Sequence, residues 1–215
     1  MPDKMQRLLF TLSVLLLSVA ATSQNRDRKT IECFNLGTYK VLKQDYKAAV
    51  VEFNEALRRD TMFLQAYENR GVAKYYLNDY EGAIEDYNKA LQINPDDYNT
   101  FGRRGWAKFY LNDFTGAIAD FTYALKGSQN DAGFYNIRGQ AKFKLSDYQG
   151  AIQDFDRVIK SYNYPRYHKA RAYYWRKKIQ TLLQNGDTDG VEKVKELAIS
   201  KGIDRSHLEV EIQES

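Results

Sequence analysis

Four stretches of this chain align without gaps at a fixed spacing of 34 residues. Asn69 to Pro95 reads NRGVAKYYLNDYEGAIEDYNKALQINP. The pattern returns as RRGWAKFYLNDFTGAIADFTYALKGS from Arg103 and as IRGQAKFKLSDYQGAIQDFDRVIKS from Ile137. One step earlier it reads NLGTYKVLKQDYKAAVVEFNEALRR from Asn35. A unit of this size cannot bury its own apolar face, so recurrence at one period implies a stack in which each unit covers the next.

The frames run 30–63, 64–97, 98–131 and 132–165, and within each the positions are numbered 1 to 34. Apolar residues recur at helical spacing in both halves, which predicts two helices per unit. In 64–97 these are Tyr67, Gly71, Ala73 and Leu77, then Tyr80, Ala83, Tyr87 and Ala90. Asn78-Asp79 punctuates between the halves, with Asp79 placed as the N-cap of the second helix. Asn94-Pro95 closes the unit, because proline cannot continue a helix. Position 8 is glycine in every unit (Gly37, Gly71, Gly105, Gly139) and position 20 is alanine (Ala49, Ala83, Ala117, Ala151). Glycine inside a helix costs about 1 kcal/mol relative to alanine. Its recurrence at one place implies a steric need, namely two antiparallel helices crossing closely. The aromatics at position 24 (Phe53, Tyr87, Phe121, Phe155) are expected to fill the space toward the next unit.

Glycine at 8, alanine at 20, an aromatic at 24, alanine at 27 and the proline at 32 of the second unit resemble the tetratricopeptide repeat. The resemblance implies an all-α, helix-turn-helix solenoid of four full repeats. Position 4 departs from it, with Cys33, Tyr67, Phe101 and Tyr135 where that family favours tryptophan. It also implies a concave face lined by the first helices, holding an extended peptide or a partner's helix. The positions that point there supply Asn69, Val72, Tyr75 and Tyr76 from the second unit and Arg103, Trp106, Phe109 and Tyr110 from the third. The fourth unit adds Asn136, Ile137, Gln140, Phe143 and Lys144. Rings with an arginine and amides have the composition of an interface hot spot. Family members that bind chaperone tails carry a carboxylate clamp. Asn69 and Arg103 match it, but Phe34, Thr38 and Asn99 stand at its other positions.

A second internal pattern lies outside the family motif. Position 7 is Arg70, Arg104 and Arg138, position 23 is Asp86, Asp120 and Asp154, and position 11 is lysine throughout. These are either arginine–aspartate pairs joining helices along the stack or independent solvated charges. Arginine replaces a leucine that the family buries, which favours pairs. Unit one has Leu36 and Glu52 at these places, and Tyr39 and Lys43 where others have alanine and leucine, as suits an end unit.

After Pro165 the frame slips by about six residues. Residues 166–206 then read as a degenerate fifth unit or cap, with Trp175, Asp187, Gly190 and Ala198 at positions 4, 16, 19 and 27, and 207–215 as a polar tail. Asn185, Asp187, Asp189, Gly190 and Glu196 match positions 1, 3, 5, 6 and 12 of a calcium loop. An asparagine in first place and Glu192 at position 8 speak against it, and an interhelix turn explains the same residues. The stretch 166–178 interleaves basic residues with Tyr167, Tyr173, Tyr174 and Trp175. It is the face on which a different function would rest, an envelope component contacting glycan, lipid or a membrane surface.

Lys4 and Arg7, the apolar run Leu8 to Ala21 and the small residues Ala21 and Ser23 have the layout of a secretory signal peptide over residues 1–23, followed by a charged linker over 24–29. The chain is therefore expected to be exported, like the bacterial exported members of the family, to the periplasm or beyond the cell. A net charge of +4 is not the footprint of a nucleic-acid binder. One cysteine, Cys33, builds neither an intrachain disulfide nor a zinc site. No nucleophile–base pair and no phosphate-cradling glycine loop appears. The expectation is a non-enzymatic interaction protein without a cofactor, its partner a protein or peptide.

Overall fold

The computed structural model describes residues 26–129 and 131–161, together with 173, 175, 177–182, 184–204 and 208. The signal peptide, most of the 166–178 stretch and most of the tail lie outside the described residues. No strand occurs among the described residues, and none of their helices is long and apolar enough to cross a membrane. The fold is all-α, a run of helix-turn-helix pairs. The chain divides between Ile93 and Asn94 into two compact units. The first holds α1 (Arg28–Leu42), α2 (Tyr46–Arg59), α3 (Leu64–Tyr76) and α4 (Tyr80–Ile93). The second holds α5 (Tyr98–Tyr110), α6 (Phe114–Gly127), α7 (Ala132–Lys144) and α8 (Tyr148–Ser161), then helical residues at 177–182 and α9 (Thr188–Ser200). Helix α1 begins inside the stretch read as linker, because the Asp27 carboxylate accepts from the Thr30 N–H at 2.9 Å and caps it there.

Each hairpin turn is the same device. The first helix ends, one residue takes a left-handed conformation, and an aspartate starts the second helix. Gln44, Asn78, Asn112, Ser146 and Gly186 are the left-handed residues, with φ between 60° and 72°. Asp45, Asp79, Asp113, Asp147 and Asp187 follow, each accepting a backbone N–H three residues on at 2.8 to 3.2 Å. The aspartate's own N–H returns to a carbonyl of the preceding helix, as Asp79 does to Lys74 at 2.9 Å. Orphan groups on both sides of the turn are thus satisfied within three residues.

The repeated glycines sit under the repeated rings. A Cβ on Gly71 would lie 2.7 Å from the Tyr87 ring, and one on Gly37 2.7 Å from the Phe53 ring. At Gly105 and Gly139 the gaps to Phe121 and Phe155 are 3.1 and 3.0 Å. All four rings are buried, and the four alanines at position 20 are fully so. The ring at position 24 therefore packs first on the glycine of its own unit, not only toward the next one as its spacing suggested. It reaches the next pair as well: Phe121 clusters with Ile137 and stands 5.8 Å from the Phe134 ring. In the fifth unit Trp175, Ile179, Val191, Val194 and Ala198 build a core with Phe155. Leu208, from the stretch read as a polar tail, is buried in that core, so the tail's start is anchored.

The charged pattern forms pairs, and each pair closes its own hairpin. Arg104 donates through Nε and Nη2 to Asp120 at 2.8 and 2.7 Å, and Lys108 reaches the same carboxylate at 2.8 Å. Arg70 and Lys74 hold Asp86, and Arg138 and Lys142 hold Asp154, with the same geometry. The aspartates are buried, the cations half-buried. Each guanidinium also lies over the ring at position 4, at 5.5, 5.0 and 5.3 Å for Tyr67, Phe101 and Tyr135. The link along the stack comes from the remaining nitrogen. Arg70 Nη1 donates to Asn54 at 2.6 Å, and Arg138 Nη1 to Thr122 at 3.1 Å. In the first hairpin Lys40 and Glu52 stand in, 2.7 Å apart.

Two outcomes follow for stability. Gly71→Ala is expected to lower it by about 1–2 kcal/mol, because a buried ring must give way, against alanine's helix propensity of about 1 kcal/mol. Gly105→Ala, with the wider gap, should cost less, and urea midpoints compare the two. Arg104→Leu leaves Asp120 with Lys108 alone and should cost about 3 kcal/mol. Arg104→Leu with Asp120→Leu should recover most of that loss, read as a coupling in a double-mutant cycle.

Candidate functional site

In the first unit α1 and α3 lie side by side. Asn69, Val72 and Tyr76 fall three and four residues apart and so share one face of α3. Asn69 and Val72 are half-buried, while Tyr76 is 57% exposed. Tyr76 is held in place from two sides. It stacks on Tyr46 of α2 at 4.8 Å with the planes 12° apart, and Tyr75 meets it edge-on at 5.6 Å. Tyr75 in turn packs against Tyr80 at 5.4 Å. Tyr46 was not among the residues read as functional. The signal was available, since position 17 carries an aromatic in every unit: Tyr46, Tyr80, Phe114 and Tyr148.

In the second unit α5 and α7 are the neighbouring first helices. Gly102 fixes how close they come. A Cβ there would collide with the Phe134 ring of α7. Arg103, Trp106 and Tyr110 form one stripe along α5, again three and four residues apart. Arg103 and Tyr110 are exposed and Trp106 is half-buried. Trp106 stands between its stripe and the core. It lies near-parallel to Tyr110 at 6.4 Å and edge-on to Phe121 at 6.1 Å. Phe109 is half-buried against Tyr110 and Phe114. On α7 Asn136 and Gln140 are half-buried and hydrogen-bonded to each other at 3.3 Å. Ile137 does not belong with them. It is 5% exposed and packs with Ala117 and Phe121, because an apolar side chain at this point turns into the seam between hairpins.

The calcium reading does not survive the placement of Asp187, whose carboxylate caps α9 by accepting from Gly190 at 2.8 Å. The helix starts at Thr188, so Asp189 is already in its first turn. Glu196 then stands nine residues beyond Asp187, a rise of about 13 Å along the helix. Among the described residues, which include all of Asn185, Asp187, Asp189 and Glu196, no group of three acids, histidines or cysteines could hold a metal ion.

The basic aromatic stretch is reached only at its end. Tyr173 is exposed, with the Lys177 ammonium 5.8 Å above its ring. Trp175 is 1% exposed and belongs to the core, so it is withdrawn from any binding face. Lys178 donates to Gln149 at 2.7 Å, and burial pushes its ammonium below the usual lysine range, against the opposing pull of Asp147.

Tetratricopeptide repeat profiles match residues 64–97, 103–168 and 138–190, together more than half of the chain. The chain belongs to the tetratricopeptide repeat family. Among solved structures it is similar to MamA 41-end from Desulfovibrio magneticus RS-1, with a TM-score of 0.67 and 17% identity, covering 82% of this chain and 98% of that one. It is similar to YrrB, described as a TPR protein with an unusual peptide-binding site, with a TM-score of 0.63 and 17% identity over 85% of this chain and 90% of that one. The first TPR of Spaghetti (RPAP3), bound to the HSP90 peptide SRMEEVD, gives a TM-score of 0.54 and 22% identity over 55% of this chain and 94% of that one. At these identities the likeness is one of fold. No curated protein sequence is a significant match.

Because Asp187 is spent on a helix cap in this repeat protein, Asp187→Ala is expected to cost about 1 kcal/mol. The loss should be the same with and without calcium in thermal melts, and calorimetry at millimolar calcium should register no binding heat.

Proposed function

We propose that this tetratricopeptide repeat protein is a non-enzymatic interaction scaffold that holds a peptide or a partner's helix against its first helices, outside the cytoplasm. The observation that carries the reading is the exposure of large rings backed by half-buried ones: Tyr76 over Tyr46 in the first unit, and Tyr110 beside Trp106 in the second. Aromatic side chains bury much area for little lost rotamer freedom, and rings already propped in place lose less still on binding. Asn69, Val72, Asn136 and Gln140 flank them with amides and apolar surface. Peptide binding by two proteins of the same fold, YrrB and the RPAP3 domain, supports the same use here. The location rests on the leader-like residues 1–23.

The test is capture of a partner from the native host with the wild-type chain and two variants. Trp106→Ala with Tyr110→Ala is expected to reduce capture at least tenfold. Neutralising Lys177 and Lys178 together with Arg176 should leave it unchanged. The reverse result would move the function to the 166–178 stretch and its glycan, lipid or membrane partners.

A further inference from the structure

Two adjacent arginines on α5 have opposite fates. Arg104 is locked to Asp120 from two nitrogens. Arg103 is exposed, and no described carboxylate pairs with it. Lys144, exposed on the last turn of α7, is also without a described acidic partner. Other cations of this unit are placed differently: Lys108, Arg138 and Lys142 are ion-paired, and Lys126 lies over the Tyr123 ring. The first-helix face that carries Arg103 and Lys144 comprises Asn99, Gly102, Arg103, Trp106, Phe109 and Tyr110 and the six residues at the same places on α7. It holds no acid at all, in a chain with 28 of them. The carboxylates that flank the two helices, Asp97 and Asp131 before them and Asp113 and Asp147 after them, each cap a helix by accepting from the backbone N–H of Asn99, Phe134, Gly116 and Gly150. The face itself thus carries two cations and no acid, around a tryptophan, a tyrosine and two amides.

The spacing of the two cations sets a ruler. They occupy positions seven apart in successive repeats, on the same helical stripe. Seven residues rise about 10 Å, and neighbouring helices lie about 9 Å apart. The diagonal is about 14 Å, which an extended chain spans in about four residues. Trp106 and Gln140 stand at the level between the ends, Tyr110 is level with Lys144 on the neighbouring helix, and the Asn136–Gln140 amides offer polar groups to a peptide backbone. We infer that the α5–α7 face selects an extended polypeptide segment with two side-chain carboxylates four positions apart and an apolar side chain between them. The inference rests on the groove reading above and adds the chemistry of its occupant. It differs from capture of a chain terminus, because both cations address side chains.

The probe is a dye-labelled octapeptide, acetylated and amidated, with glutamates at its second and sixth places and phenylalanine at its fourth, titrated into the full chain and followed by fluorescence polarisation. The glutamine version is expected to bind at least tenfold more weakly, and a version with adjacent glutamates about as weakly. Arg103→Gln and Lys144→Gln should each weaken the glutamate peptide three- to tenfold and leave the glutamine peptide unchanged, with unaltered thermal melts. Equal binding of glutamate and glutamine peptides, both lost in Tyr110→Ala, would overturn this inference while leaving the groove reading intact. Glutamate binding indifferent to Tyr110→Ala would overturn both. No binding of the amidated probe, binding that appears only with a free C-terminus, or equal binding of polyglutamate or of anionic phosphatidylserine vesicles would each overturn the inference alone.

Discussion

The contact between a glycine and a ring inside each hairpin is what the rest of the structure depends on. With no Cβ at position 8, the ring at position 24 lies flat on the first helix and the two helices cross at close range. The alanine at 20 keeps the other side of the crossing thin. Once the crossing is close, the far edge of the ring emerges where the next hairpin arrives, as Phe121 does against Ile137 and Phe134. One ring thus serves the interior of a unit and its seam with the next. Within a compact unit, such coupling joins the small core of one repeat to that of the next.

The arginine–aspartate–lysine triads act on that same crossing from its polar side. A buried carboxylate between two cations is costly to desolvate, and replacing such a group by apolar residues is often neutral or better for stability. What the triad adds is register. The guanidinium must meet Asp120 with two nitrogens while lying over Phe101, which allows one sliding position of α6 along α5. The third nitrogen, where it reaches Asn54 or Thr122, extends that register to the preceding helix. Apolar packing alone would tolerate slippage that this arrangement does not.

Much of this was legible in the residues because a repeat states each requirement several times over. The hairpins, the glycine–alanine crossing and the aspartate caps follow from period and residue type. The left-handed turn residue was not legible as a class, since Gln44, Asn78, Asn112, Ser146 and Gly186 share a conformation and no chemistry. The charged pattern predicted pairs but not that they would close their own hairpins, because spacing along the chain does not say which helix a long side chain will cross. The calcium-like loop failed for a related reason. Its acids have the right intervals, but the first of them, Asp187, starts a helix that carries Glu196 away along the axis. At the candidate site, the stripe reading placed Arg103, Trp106 and Tyr110 on one face but overextended to Ile137. There the residue type, apolar among Asn69 and Arg103 at the same repeat position, pointed to the core.

Arg103 and Arg104 show how the fold separates architecture from recognition. Successive helix residues are about 100° apart, so position 7 turns into the hairpin while position 6 turns to the open face. Every side chain at position 7 of units two to four is bound to an aspartate within its own unit. Position 6 runs Asn69, Arg103, Ile137, three unrelated chemistries at one place in the repeat. The constraint that keeps arginine at 7 leaves 6 free, provided nothing there disturbs the crossing beneath. Ile137 marks the limit of that freedom, since an apolar side chain at this place is drawn into the seam and lost to the surface. A charged or amide side chain at position 6 stays out because burial would cost it its solvation. The recognition surface is therefore kept available by polarity and not by geometry alone.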